Sequence, residues 1–356
     1  MSKYKVNGLP WHQGLGKKVE DCKTAREVIE KAELNWTVAK CPLVAKMPFS
    51  LNSNNNVNED DGDFAYKGNI YRECESAYAT YRTDINVPLG LVKSKYEIVQ
   101  NIDAFNFFDD AIGEDKAIWQ SAGYFGLGSK IYITAKLPQL INMPNDPIDE
   151  YLVFSNSHDG SCSVNIMFTP IRVFCTNMLN SALTSNEAYI RYRHTLNVKA
   201  NIQSGAEILG LCIEHAKRAE DIYKSLQLIR MNDAQVMEYI CKLVLTDKEH
   251  NDLLLYDKEK GYNKLMARDY MTMERSGIST RKANQLANMF DYYLDGVGQK
   301  SITGTAWGAY NAVTGFYSNV ANLEGEKRME SLLYGSAARN MVKGLNNALD
   351  YKQLAG

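Results

Sequence analysis

The strongest constraint on the fold is a change of hydrophobic pattern near residue 198. Before this point, the sequence is rich in alternating or β-branched and aromatic stretches, which are typical of strands. After it, apolar residues recur at helical spacing, beginning with a long amphipathic helix predicted over 198–230. We therefore predict an α+β protein. Its antiparallel, β-rich core domain spans 1–197, and its mostly helical region spans 198–356 and packs on the core or on neighbouring subunits.

The clearest local signal in the first half is a long β-hairpin. Residues 151–157 and 163–168 have strand character, and Asp159-Gly160 stands between them. Asp-Gly is favoured in tight hairpin turns because both residues tolerate a positive φ. The segment 151–175 is therefore predicted to be antiparallel, with this dipeptide at its tip.

Other elements follow from the same reading. The spacing of Thr24 and Glu27 is that of a capping box, which marks a helix start. Further strands are predicted over 36–47, 78–84, 89–100, 118–125 and 130–137. Helices are predicted over 24–33, 102–112, 233–245, 262–275, 280–293, 305–323 and 328–349, and one begins after Cys175 with Thr176 or Asn177 as its cap.

Composition excludes several classes of protein. Hydrophobic residues make up 45% of the chain and the net charge is −2, so the chain is neither disordered nor strongly basic, although a local basic groove stays possible. No apolar run reaches the ~18 residues of a membrane span, and no secretory signal follows Met1. Seven dispersed cysteines indicate a reducing compartment. We expect a soluble cytoplasmic protein, with no membrane, metal or cofactor.

One stretch mixes basic and aromatic side chains as single-stranded nucleic acids require. Cations bind phosphates, and flat rings stack on exposed bases. The alternative is a strand with one solvated face and one aromatic core face; Tyr192 would then point away from Arg191 and Arg193. The candidate nucleic-acid contacts are Arg82, Lys93, Lys95, Tyr96, Arg172, Tyr189, Arg191, Tyr192, Arg193 and Lys199.

Two constellations permit a catalytic interpretation. His158-Asp159 could be a metal or acid–base pair or a turn that contacts a ligand, but neighbours on a strand point to opposite faces, and a plain hairpin turn is the favoured interpretation. Cys175 could act as a nucleophile with His158 or His194 as its base; the alternative is a buried packing cysteine. No standard nucleotide, protease or zinc motif is present, and we assign no catalytic residue.

Several blocks, in order, resemble the phage/plasmid-like protein family known as domain of unknown function 932. The resemblance covers nearly the whole chain except roughly 230–300, and Gly315 stands where the family usually has an acidic residue. The matching blocks are 10–16, 81–84, 89–92, 96–105, 156–161, 170–179, 194–195, 304–314 and 334–336. The motif positions without an assigned role are Trp11, His12, Asp84, His158, Asp159, Cys175, Asn177, His194, Trp307 and Asn311.

The resemblance implies a gene carried by phages, prophages or conjugative plasmids, and therefore a protein in the cytoplasm of a bacterial host cell. The order of a long hairpin and then a helix is also similar, at the level of fold, to phage single-strand annealing proteins. Our first hypothesis is a protein of DNA metabolism that binds single-stranded DNA and promotes annealing or recombination as a ring or helical homo-oligomer. The alternatives are a cysteine/histidine-dependent hydrolase or nuclease, and a non-catalytic protein that acts against a host defence, with the acidic loop 52–63 as its contact.

Overall fold

The computed structural model confirms the α+β class, because its strands end at Tyr192 and all its long helices follow. The structure describes residues 16–47, 64–66, 69–105, 117–138, 141–144, 146–172, 177–178, 189–198, 205–260, 277–321, 323, 325–333 and 335–354. The acidic stretch 52–63 and the predicted helix 262–275 lie outside the described residues.

The described strands form two antiparallel sheets. The strands are β1 (Lys17–Lys18), β2 (Val38–Met47), β3 (Phe64–Tyr66), β4 (Asn69–Arg82), β5 (Val87–Lys93), β6 (Ile118–Phe125), β7 (Lys130–Lys136), β8 (Ile148–Ser157), β9 (Val164–Arg172), β10 (Asn177–Met178) and β11 (Tyr189–Tyr192). The seven-stranded sheet has the order β1–β6–β7–β8–β9–β10, and β11 also pairs with β9. In the four-stranded sheet, β4 pairs with β2, β3 and β5.

The predicted hairpin is confirmed as β8 and β9, which pair from Ile148 opposite Arg172 to Ser155 opposite Asn165. At its tip, Gly160 has a φ of +73°, which a residue with a side chain rarely adopts. The backbone N–H of Ser161 donates to Asp159 Oδ1 at 2.8 Å, so the aspartate closes its own turn.

The helices build the second half of the chain. They are α1 (Ala25–Lys31), α2 (Gly205–Leu228), α3 (Asp233–Val244), α4 (Asp247–Lys260), α5 (Thr280–Asp295), α6 (Ala306–Gly315), α7 (Gly325–Leu333) and α8 (Ser336–Leu354). Residues 101–105 also form a helical turn, and a π-helical turn over Phe316–Val320 continues α6. The predicted cap of α1 is confirmed, since Thr24 accepts a hydrogen bond from the Glu27 backbone N–H.

Several predicted boundaries are wrong. The strand predicted over 78–84 is the end of β4, which begins at Asn69. The strand predicted over 89–100 leaves the sheet after Lys93, and side-chain hydrogen bonds such as those of Gln100 replace its ladder. Asn177–Met178 is a strand rather than a helix start, because its backbone pairs with the end of β9. The single helix predicted over 328–349 is α7 and α8, which are separated where the Gly335 N–H turns back to the carbonyls of Glu330 and Ser331.

Helix α4 was not predicted, because its sequence has little amphipathic pattern. A capping box nevertheless marks its start: the Thr246 Oγ1 accepts from the Glu249 N–H, and the Glu249 carboxylate accepts from the Thr246 N–H. The spacing of these two residues is visible in the sequence and predicts a helix start at this position.

Two apolar cores cover the two faces of the seven-stranded sheet. The first core joins strand residues such as Ile133 to helix residues such as Tyr223, so it crosses the pattern change at 198. The second core packs Tyr132 and Val153 against Leu332 and other residues of α7 and α8. Successive side chains of β7 therefore pack in different cores, because side chains alternate between the two faces of a strand.

Within the described part of the chain, no helix is both long enough and apolar enough to cross a membrane.

Candidate functional site

Residues 94–101 form a crossing segment that ties β5 to the tip of the β8–β9 hairpin and to the end of β11. The Tyr96 hydroxyl donates to the Ser157 carbonyl at 2.5 Å. The Glu97 N–H donates to the His194 carbonyl at 3.1 Å. The crossing segment thus brings together parts of three sequence blocks that are spread over about 100 residues of the chain, and we call this region the junction (Tyr96, Asn101, Ser157, His158 and His194).

The crossing segment is also fastened to β2. The Gln100 side chain makes both hydrogen bonds of a strand neighbour with Val38, accepting from its N–H at 2.9 Å and donating to its carbonyl at 2.8 Å. Lys40 Nζ donates to the carbonyl of Tyr96 at 2.9 Å. These contacts satisfy backbone groups that would otherwise pair within a sheet.

The hairpin tip packs directly on β5. A Cβ atom added at Gly90 would lie 2.5 Å from the Asp159 Cα and carbonyl oxygen, so only glycine permits this approach. On the other side of the tip, the Thr80 hydroxyl donates to the His158 carbonyl at 2.6 Å. The two sheets therefore meet at the hairpin turn.

His158 is fully buried at the junction. Asn101 Nδ2 donates to the carbonyls of Leu34 and Trp36, so its Oδ1 faces His158 Nε2 at 2.9 Å and accepts the ring proton. The other ring nitrogen, Nδ1, is then unprotonated and has no hydrogen-bond partner among the described residues. Burial, together with nearby His194, lowers the pKa of His158 from 6.5 to about 3.

His194 has a similar arrangement. Its Nδ1 lies 2.9 Å from the Glu97 carbonyl oxygen, which can only accept, so Nδ1 carries the proton. Its ring stacks on Tyr96 with centroids 4.4 Å apart, and burial lowers its pKa. Nε2 has no hydrogen-bond partner in the part of the chain that the structure describes. The junction therefore holds two neutral imidazoles, each with one free lone pair.

These imidazoles are poorly placed for acid–base catalysis. A general base works best when its pKa lies near the operating pH, and the pKa of His158 lies far below it. His158 is also inaccessible, so a substrate could reach it only after the hairpin tip lifts from β5. Among the described residues, no group of three or more His, Cys, Asp or Glu could hold a metal ion.

Exposed cations surround the junction. Lys93 and Lys95 lie at the turn that opens the crossing segment, and Arg191 and Arg193 precede His194. The hydrogen bonds between Glu97 and His194 hold the two segments side by side. Four of the predicted nucleic-acid contacts therefore belong to adjoining segments.

The predicted stacking tyrosines are less exposed than the cations. Tyr96 is half-buried, its hydroxyl is bound and one ring neighbour is His194; burial raises its pKa. Tyr192 is half-buried against the first core. Tyr189 pairs with Met167 in the sheet. Two leucines next to these segments in the sequence are also exposed, Leu91 (66%) on β5 and Leu196 (87%) two residues after His194. Neither was a predicted contact, because a single exposed leucine has no sequence signal.

The prediction that Arg82 contacts nucleic acid is corrected, because its side chain lies inside the protein. It is 8% exposed, and its guanidinium forms two hydrogen bonds to Asp84 at 3.1 and 2.6 Å. It also lies 4.3 Å from the Trp36 ring centre. Asp84 is accordingly its partner, and the hydrogen bond from Arg82 lowers the pKa of that carboxyl.

Arg172 is corrected in the same way. It is fully buried, and its Nε donates to both oxygens of Asp146, at 2.5 and 2.7 Å. The indole N–H of Trp307 donates to Asp146 Oδ2 at 2.8 Å, and Asn311 donates to the Trp307 carbonyl. We call Arg172, Asp146 and Trp307 the Asp146 cluster; it joins β9 to α6 and has a structural role.

Some predicted residues lie outside the described part of the chain. Asn177 is a strand residue that pairs with Arg172. The predicted nucleophile and the first sequence block lie outside. The positions outside are Trp11, His12, Cys175 and Lys199.

The sequence profile of the family described as "Domain of unknown function (DUF932)" matches residues 88–341, more than half of the chain. The chain belongs to this family. The DUF932 match begins after the blocks at 10–16 and 81–84, and it includes the stretch 230–300, in which we recognised no motif. No curated protein and no solved structure matches the chain.

Proposed function

We propose that this DUF932 protein binds single-stranded DNA across the junction. The observation that carries the proposal is the pair of hydrogen bonds between Glu97 and His194, which join the two segments that carry exposed cations at 93–95 and 191–193. Cations on adjoining segments can follow the phosphates of one strand, which gives binding without sequence preference.

The exposed leucines extend the same surface. Leu91 and Lys93 stand two residues apart on β5 and share one face of the strand. Leu196 follows His194 by two residues and is almost fully exposed. Unpaired bases present apolar faces, so these side chains suit a single strand better than a duplex, whose base faces are stacked.

Annealing and recombination are the biological roles we propose for this binding. The resemblance to phage and plasmid proteins supports them, and annealing along a strand requires several copies of the chain. We expect sedimentation velocity to show a ring or filament whose mass increases when oligothymidylate is added.

The test is binding of fluorescein-labelled oligothymidylate by the full chain, followed by anisotropy over a sodium chloride series. We expect Lys93→Ala/Lys95→Ala and Arg191→Ala/Arg193→Ala each to weaken binding most at low salt. Each lost phosphate contact should lower the slope of log affinity against log salt by about 0.7. A double variant that loses two contacts should lower it by about 1.4.

The matched control is Lys217→Ala/Lys248→Ala, which removes two exposed lysines from α2 and α4. It should bind like the wild type. The proposal fails if the folded wild type does not bind in low salt, or if the control loses as much affinity as the junction variants. Cleavage of the oligonucleotide that disappears in His194→Gln would instead favour the hydrolase alternative.

A further inference from the structure

Arg328 in α7 is a buried arginine without an anionic partner in the described chain. It is 7% exposed, and its Nε has no hydrogen-bond partner among the described residues. The other two buried arginines, Arg82 and Arg172, are each paired with an aspartate. Arg328 therefore departs from the pattern that the same protein follows elsewhere.

The position of Arg328 on α7 explains why no described residue neutralises it. Arg328 lies one helical turn before Leu332, which packs in the second core, so both face the seven-stranded sheet. The acidic residue at the middle of α7, Glu330, is already ion-paired with Lys130 on β7. Viewed down the axis of α7, Glu330 and Arg328 lie on opposite edges of the face that packs on the sheet.

An unpaired buried guanidinium is costly. Arginine keeps its proton at neutral pH even where burial lowers its pKa, so it cannot escape the cost by becoming neutral. Burying a charge without a partner is among the least favourable features of a folded protein. A folded chain that keeps such a group gains stability if an anion from outside pairs with it.

We propose that Arg328 binds a phosphate group from outside the chain. The planar guanidinium offers two parallel N–H donors that match two oxygens of one phosphate. The phosphate is either free phosphate or a phosphodiester of a bound strand. The free-phosphate form of the proposal does not depend on the proposed function.

The test is thermal unfolding of the full chain at pH 7.5 and constant ionic strength, with sodium chloride replaced stepwise by sodium phosphate. A ligand that binds only the folded protein raises Tm as its concentration exceeds Kd. We expect this rise in the wild type and not in Arg328→Met. Without phosphate, Arg328→Met should unfold at the same temperature as the wild type or higher, because methionine removes the unpaired charge and keeps most of the volume.

Lys327→Met is the matched control; it removes an exposed cation from the same turn of α7 and should keep the rise. A second series replaces phosphate with oligothymidylate. If only the oligonucleotide raises Tm, and Arg328→Met alone abolishes the rise, the phosphate comes from the DNA backbone. A rise with free phosphate that Arg328→Met abolishes supports the site even if no DNA binds.

The proposal is overturned if neither ligand raises the Tm of the wild type, or if Lys327→Met loses the rise as Arg328→Met does. It is also overturned if Arg328→Met retains the rise. If Arg328→Met fails to fold, Arg328→Lys is tested instead. It keeps the positive charge but lacks the paired N–H donors of the guanidinium, so phosphate should raise its Tm less than that of the wild type. If neither variant folds, Arg328 is a structural residue and the proposal is wrong.

Discussion

The junction and the Asp146 cluster are both buried and polar, but they differ in how completely their groups are paired. In the Asp146 cluster, both carboxylate oxygens of Asp146 accept hydrogen bonds, from Arg172 and from Trp307. In the junction, His158 and His194 each leave one ring nitrogen without a partner in the described chain. Complete pairing is typical of groups that hold a fold together.

The two regions also differ in their surroundings. The Asp146 cluster lies between β9 and the helices, and all three of its side chains are buried. The junction is bordered by exposed cations and by leucines open to solvent. We infer that the Asp146 cluster fixes the helices on the sheet, whereas the junction presents a surface.

The largest effect should come from Asp146→Ala. This change leaves Arg172 buried with its carboxylate removed, which is expected to cost about 3–5 kcal/mol of unfolding free energy. Urea denaturation measures the loss. Asp146→Asn keeps an acceptor for the Trp307 N–H and should cost less than the alanine variant. A loss below about 1 kcal/mol for Asp146→Ala would refute the structural role of the cluster.

Gly90→Ala should come next. Its Cβ would meet the Asp159 backbone at 2.5 Å, so the hairpin tip has to move away from β5. Overpacking of this kind costs about 1–3 kcal/mol. Leu91→Ala, at the neighbouring exposed position, is the control and should change stability by less than about 0.5 kcal/mol. Equal effects of the two variants would mean that the tip does not rest on β5.

Acidification should weaken the junction. Because the pKa of His158 is lower in the folded chain than its ordinary 6.5, the unfolded chain binds more protons below pH 6.5. The contribution of His158 to the free energy of unfolding is complete above pH 6.5. It is lost as the pH falls towards about 3, at up to about 1.4 kcal/mol per pH unit.

Urea denaturation at pH 6 and pH 5 measures this dependence. His158→Gln should flatten the loss of stability between these values, and the part that remains should come from His194, whose pKa burial also lowers. A steep pH dependence that survives in His158→Gln would assign the effect to another group.

The smallest effect on stability should come from Lys93→Ala/Lys95→Ala. Both lysines are exposed, so unfolding free energy in urea should change by less than about 0.5 kcal/mol. Loss of DNA affinity at unchanged stability would separate the binding surface from the fold. A large destabilisation would mean that these lysines support the junction rather than a ligand.

Much of the architecture could be predicted from local patterns. The Asp159-Gly160 turn, the alternation along β7 and the Thr24 cap depend on residues a few positions apart, and all three were found in the structure. The missed helix α4 had a readable start at Thr246. The errors lie where distant contacts compete with the local pattern, as at Asn177, whose backbone pairs with β9.

The tertiary structure alone decided which charged side chains are buried and which are exposed. Arg172 and Arg191 look alike in the sequence, but Arg172 is buried against Asp146 and Arg191 is exposed. The partner of Asp146 on α6, Trp307, lies 161 residues away, and the crossing segment meets His194 almost 100 residues along the chain. Periodicity reports which face of a strand or helix a residue occupies. Whether that face meets water, a core or an opposite charge depends on which distant segments fold against it.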